Sequence, residues 1–144
     1  MTELNSNIKG KLTELRVLEA VIELGYSVSI PFGDKDRYDQ IWDIDGKLLR
    51  VQVKTSRLNE KDKNIGDSIV FNCRTTYSRN TGSVTHKYNE NEIDYFATVW
   101  EGKTYLVPVG ECSDKKVLRF NSTVNNGAIS WAKDYELKEV LKKI

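Results

Sequence analysis

Apolar positions at helical spacing open the chain. Leu12, Leu15, Leu18 and Ile22 recur on a 3–4 rhythm, and Gly25 stands where a helix would end, so the pattern predicts a helix from about Ile8 to Leu24. A strand is expected at Tyr26 to Ile30, then a loop through Pro31, Gly33 and Asp34 to Asp36. Two extended runs follow, Tyr38 to Ile44 and Lys47 to Thr55, joined by Asp45-Gly46, a pair suited to a turn that needs positive φ at both central residues. Ser68 to Cys73 reads as a strand and Arg74 to Lys87 as a polar loop. Ile93 to Trp100 and Thr104 to Val109 read as strands separated by Glu101-Gly102. A last helix is expected from about Ala132 to Lys142, with Leu137, Val140, Leu141 and Ile144 on one face. Helices at both ends of hairpin-linked strands predict a mixed α/β sheet flanked by helices.

Repeats and low-complexity tracts are absent, and 144 residues suit one domain spanning 1–144. No segment approaches the ~20 apolar residues of a membrane helix and the start lacks a signal-peptide core, so a cytoplasmic protein without a membrane partner is expected. Cys73 and Cys112 fall in neither a CxxC pair nor a Cys/His cluster, which predicts two reduced thiols and no thiolate metal site.

The net charge of +1 hides an uneven distribution. Gly46 to Asn59 carries Lys47, Arg50, Lys54 and Arg57 with no acid, and Ser68 to Asn89 carries Arg74, Arg79, His86 and Lys87 with none. Acids gather at Asp34 to Asp45 and Glu90 to Asp94. Basic windows beside an acidic cluster fit a phosphate-bearing partner.

The hairpin at Asp45-Gly46 sorts its side chains by pleating. Trp42, Ile44, Leu49, Val51 and Val53 share a core face; Asp39, Ile41, Arg50, Gln52 and Lys54 share the other. On that register Asp39 pairs with Gln52, Cβ atoms about 5 Å apart, with Lys54 next along. Glu14 lies along the helix stripe of Val17, Leu18 and Val21, so it too is drawn inward, where a carboxylate needs a partner. Two carboxylates and an amide oxygen suit a hard cation such as Mg²⁺ that also holds substrate phosphate.

Glu14 on the first helix, Asp39 opening the hairpin and Gln52-Val53-Lys54 on its return strand resemble the PD-(D/E)XK nuclease core. The stretch KGKLTELRVLEAVIELGYSVSIPFGDKDRYDQIWDIDGKLLRVQVKTSR is similar to the small PD-(D/E)XK proteins that include a group I intron-encoded homing endonuclease, as are EIDYFATVWEGKTYLVPV and ISWAKDYEL. The resemblance implies a restriction-endonuclease-like core: a mixed sheet with a central hairpin between N- and C-terminal helices. It implies a metal-dependent endonuclease acting on double-stranded DNA, with Asp39, the Gln52 side chain, the Val53 carbonyl and Glu14 on Mg²⁺, or Mn²⁺, and Lys54 positioning the attacking water. Tyr38-Asp39 replaces the Pro-Asp of the family name, and Gln52 replaces the usual acid, which removes a negative charge from the site. A catalytically inactive DNA-binding module and a junction-resolvase-like or restriction-like nuclease are the alternatives.

Arg37, Arg57, Arg74, Tyr77, Arg79, His86 and Lys87 are the candidate DNA contacts, chosen for guanidinium, aromatic and imidazole groups that meet phosphates and base edges. Cutting both strands requires two sites, so a homodimer or homotetramer is expected, with the C-terminal helix and edge strands as candidate contacts.

Overall fold

The computed structural model describes residues 3–33, 36–61, 66–121 and 128–144. The first helix, α1, spans Ser6–Glu23: the Asn5 side chain accepts a hydrogen bond from Ile8 N at 3.0 Å, and Gly25 leaves the helix at φ +90. Its buried line runs through Thr13, Val17 and Val21, whereas Leu15 and Ile22 of the predicted apolar set face outward. The periodicity located the helix but not its core side.

Strands β1 (Ser27–Ser29), β2 (Gln40–Ile44) and β3 (Lys47–Val53) follow. Asp34 of the predicted loop lies outside the described residues. The β2–β3 turn has Asp45 at φ 52 and Gly46 at φ 95, with Gly46 N donating to Asp43 Oδ1 at 2.7 Å. The ladder pairs Ile44 with Lys47 and Ile41 with Arg50, as predicted. Beyond these lie β4 (Arg57–Leu58), β5 (Ser68–Asn72), β6 (Arg74–Arg79), β7 (Gly82–Lys87), β8 (Tyr95–Trp100), β9 (Lys103–Pro108) and β10 (Lys115–Arg119).

Among the described residues three sheets form: β1-β2-β3-β8-β9, β10-β5-β4 and the β6-β7 pair. Within the five-stranded sheet β3 and β8 run parallel and the other neighbours antiparallel. Pleating splits the core. Val17, Val21, Trp42, Leu49, Val51, Ala97 and Leu106 pack on the α1 side, while Phe96, Tyr105 and Val107 turn to Ile69, Phe71 and Leu118 of the second sheet.

Two expectations need correction. The stretch Arg74 to Lys87 is a hairpin, not a loop: Arg74 pairs with Lys87 and Arg79 with Gly82 around Asn80-Thr81. Its residues are mostly polar, so no apolar alternation announced it. The C-terminal element is broken into a 3₁₀ turn at Ala132–Tyr135 and a short helix, α2, at Leu137–Leu141, separated by Glu136 at ψ 141. Leu137, Val140 and Leu141 are buried as expected, but Ile144 is exposed. Cys73 and Cys112 are free thiols, and no described helix is long and apolar enough to cross a membrane.

Candidate active site

The site forms where β2 begins. Gln40 pairs with Val51, yet Asp39 N also donates to the Val51 carbonyl at 2.9 Å, so two consecutive residues face one, a β-bulge. The expected Asp39–Gln52 pair is therefore absent from the ladder. The bulge turns the Asp39 carboxylate into the place of a missing strand neighbour, where its Oδ2 accepts from Val53 N at 2.9 Å.

Gln40 holds the helix to this point. Its side chain is buried at 1% exposure, donates to the Glu14 carbonyl at 2.9 Å and accepts from Trp42 Nε1 at 2.9 Å. That contact brings Glu14 over the end of β2, where its carboxyl hydrogen-bonds to Asp39. Nothing in the sequence reading singled out Gln40, although a polar residue in register with Trp42 and Ile44 on the core face is the signal of a buried, bonded amide. Gln40→Leu leaves the Trp42 N–H unpaired and removes the tie to the Glu14 carbonyl, and denaturant unfolding is expected to show a loss of about 2 kcal/mol.

Burial pushes the Glu14 carboxyl up to about 7 from the ordinary 4.5, and the Asp39 charge and hydrogen bond add to the shift. Burial also raises Asp39, against the opposing pull of Val53 N–H, Glu14 and Lys54. The pair shares a proton that we assign to Glu14. A carboxyl with a raised folded pKa stabilises the fold below pH 4.5 and loses that contribution as pH climbs to about 7. In EDTA, Glu14→Gln is therefore expected to stabilise the protein at pH 8 and leave it unchanged at pH 4. The gain expected in thermal or urea unfolding is about 1 kcal/mol, small because water screens a half-exposed carboxyl.

Lys54 comes from the end of β3, its N–H bonded to the Ala97 carbonyl at 2.9 Å. Its ammonium donates to the Arg74 carbonyl at 3.1 Å and lies 5.3 Å from the Tyr88 ring centroid. Burial lowers its pKa, with the Asp39 charge pulling the other way. Gln52 is half-buried and makes no hydrogen bond to another described residue through its amide. Among the described residues no three His, Cys, Asp or Glu side chains gather as a metal cage. The groups that would hold a cation are instead the Glu14 and Asp39 carboxylates, the Gln52 amide oxygen and the Val53 carbonyl. This set fits a hard cation, which would offset the cost of burying charge that raises the Glu14 and Asp39 pKa values.

Several candidate DNA contacts are committed elsewhere. Arg37 Nε meets Glu92 Oε2 at 2.9 Å, His86 Nε2 meets Glu92 Oε1 at 2.9 Å, and Arg74 pairs with Asp114. Glu92, missed in the sequence, thus ties β7 to the segment leading into Asp39. Arg57 reaches Asn72 Oδ1 at 3.3 Å from an exposed position; Arg79 and Lys87 are exposed on the hairpin. The Tyr77 side chain lies outside the described residues.

The sequence pattern of the PD-(D/E)XK endonuclease family matches residues 4–138. The chain belongs to that family. As a PD-(D/E)XK protein it also shares its fold with a bacterial homing endonuclease, I-Ssp6803I, at a TM-score of 0.75 and 24% identity over 97% of this chain and 95% of that one. No curated protein sequence matches it. Members of the PD-(D/E)XK family generally use divalent metal ions.

Proposed function

We propose that this PD-(D/E)XK protein is a metal-dependent endonuclease that hydrolyses phosphodiester bonds of double-stranded DNA at specific sites, in the manner of a homing endonuclease. The observation carrying the reading is the Glu14–Asp39 carboxyl pair, held at a bulge with the half-buried Lys54 ammonium in its field. Asp39, the Gln52 amide oxygen, the Val53 carbonyl and Glu14 would hold Mg²⁺ or Mn²⁺. When bound, such an ion supplies positive charge to a phosphate oxygen and makes a neighbouring water a stronger nucleophile. Asp39 orients its carboxylate by accepting from Val53 N, and Lys54 places its ammonium beside the phosphate, where it steadies the attacking water and the charge that develops on oxygen. Arg57, Arg79 and Lys87 supply phosphate contacts from the exposed strands, while Arg37, Arg74 and His86 hold the frame that presents them.

Nicking and linearisation of supercoiled plasmid in Mg²⁺ or Mn²⁺, beside EDTA, tests the proposal. Metal-dependent scission is expected. A folded protein that binds DNA and cuts neither plasmid nor long natural DNA would instead be the inactive binding module, a reading favoured by the neutral Gln52 in place of an acid. Product patterns on synthetic four-way junctions separate site-specific cleavage from resolvase-like cleavage.

A further inference from the structure

Two groups fasten the Lys54 ammonium, and both stand at the base of the β6–β7 hairpin. Arg74, the first residue of β6, accepts from Lys54 Nζ through its carbonyl at 3.1 Å. Tyr88, the residue after β7, holds its ring under the same nitrogen, which lies 5.3 Å from the centroid. Arg74 pairs with Lys87 in the ladder, so one register sets both holds. A flexible four-carbon stem wanders unless its end is fastened. Both fastenings here are uncharged. They hold the cation without cancelling the charge that a phosphate needs, as a carboxylate would.

The ring itself is gripped. Tyr88 is buried, with His86 nearly perpendicular to it at 5.9 Å and Phe96 nearly perpendicular at 5.5 Å. Its hydroxyl shares a hydrogen bond with the Thr75 side chain. His86 is tied in turn to Glu92 through Nε2 at 2.9 Å, and Phe96 lies level with Gln52 in the β3–β8 ladder. The contacts therefore lead from the strand neighbour of Gln52, through the tyrosine, to the ammonium two residues further along β3. Lys54 is half-buried, where an ammonium over a ring gains more than it does in open water. We infer that the Tyr88 ring is the seat of the Lys54 ammonium, a positioning residue that fixes where this charge stands against the scissile phosphate in the nuclease reading on which the role rests.

NMR of isotope-labelled lysine tests the seat without DNA, the Lys54 signal being assigned by its loss in Lys54→Met. The Lys54 ε-methylene protons are expected upfield of the solvated lysines, and Tyr88→Leu should return them to the common position. Lys116, which lies 5.2 Å from the Tyr135 ring centroid, should keep its own upfield shift in that variant. In single-turnover cleavage with Mg²⁺ or Mn²⁺, Tyr88→Leu should slow scission about tenfold with DNA affinity held within about twofold. Tyr88→Phe, which keeps the ring, should recover most of the loss. A pentafluorinated phenyl ring at the same position keeps the packing but reverses the charge of the ring face, so it should cut as slowly as the leucine variant. Where Tyr88→Leu fails to fold, the plain and fluorinated rings decide. An unshifted Lys54 in the wild type, or one that stays upfield in Tyr88→Leu, overturns the inference. So does a fluorinated chain that cuts at the Tyr88→Phe rate. An upfield Lys54 in a wild-type chain that cuts no DNA supports the seat and overturns only the nuclease reading.

Discussion

Asp39→Asn is expected to lower DNA scission by about a thousandfold while the protein melts within about 3 °C of wild type. The two effects separate because Asp39 carries two duties. Its Oδ2 accepts from Val53 N and closes the strand end left open by the bulge, a task an amide oxygen also performs. Its negative charge is the part that Asn cannot supply, and that charge is what a hard cation requires. Asp39→Ala removes both and leaves the Val53 N–H without its acceptor, so a further loss of about 1–3 kcal/mol in unfolding free energy should accompany the loss of activity. Plasmid nicking rates beside differential scanning calorimetry read the two duties apart. Full scission by a folded Asp39→Asn protein would remove Asp39 from the active site.

Lys54→Met should be nearly as damaging to chemistry, slowing scission by about a hundredfold or more, with DNA affinity changed only by the loss of one phosphate contact. Methionine keeps the stem but not the ammonium, which lies over the Tyr88 ring and donates to the Arg74 carbonyl. Removing a half-buried charge costs the fold little, because burial already works against that charge in the native state. Salt titration of DNA binding should show a slope reduced by about one, and single-turnover cleavage should show the rate loss undiminished at saturating protein. An equal loss of binding and cleavage would make Lys54 a docking residue.

Much of the frame was written in local pattern. Asp45-Gly46 fixed the turn, the turn fixed the register from Ile44–Lys47 to Ile41–Arg50, and the register divided Trp42 and Leu49 from Ile41 and Arg50. The spacing of Glu14, Asp39 and Lys54 was legible for the same reason, since helix and hairpin geometry act over short stretches of chain. The bulge at Asp39 was not, because one residue inserted at a strand end leaves no mark on hydrophobic alternation. Nor was the β6–β7 ribbon, whose Thr75, Thr76 and Thr85 signal extended backbone only through propensity. Leu15 misled: a leucine at helical spacing marks an apolar side without saying whether the chain or another molecule covers it. Arg37 and Arg74 looked like free cations because their acids, Glu92 and Asp114, are distant in sequence.

The parallel pairing of β3 with β8 has a consequence for the time at which an active centre comes into being. Glu14, Asp39, Gln52 and Lys54 all emerge within the first part of the chain, but Gln52 is aligned by Phe96 and Lys54 by the Ala97 carbonyl. Closing so long a loop costs entropy that only the finished sheet returns. During synthesis, therefore, a growing chain carries every reactive group long before it can arrange them. A fragment ending ahead of β8 lacks the strand that aligns Gln52 and Lys54, so the proposed cutting capacity would arrive only when the ribosome has delivered the strand that completes the sheet.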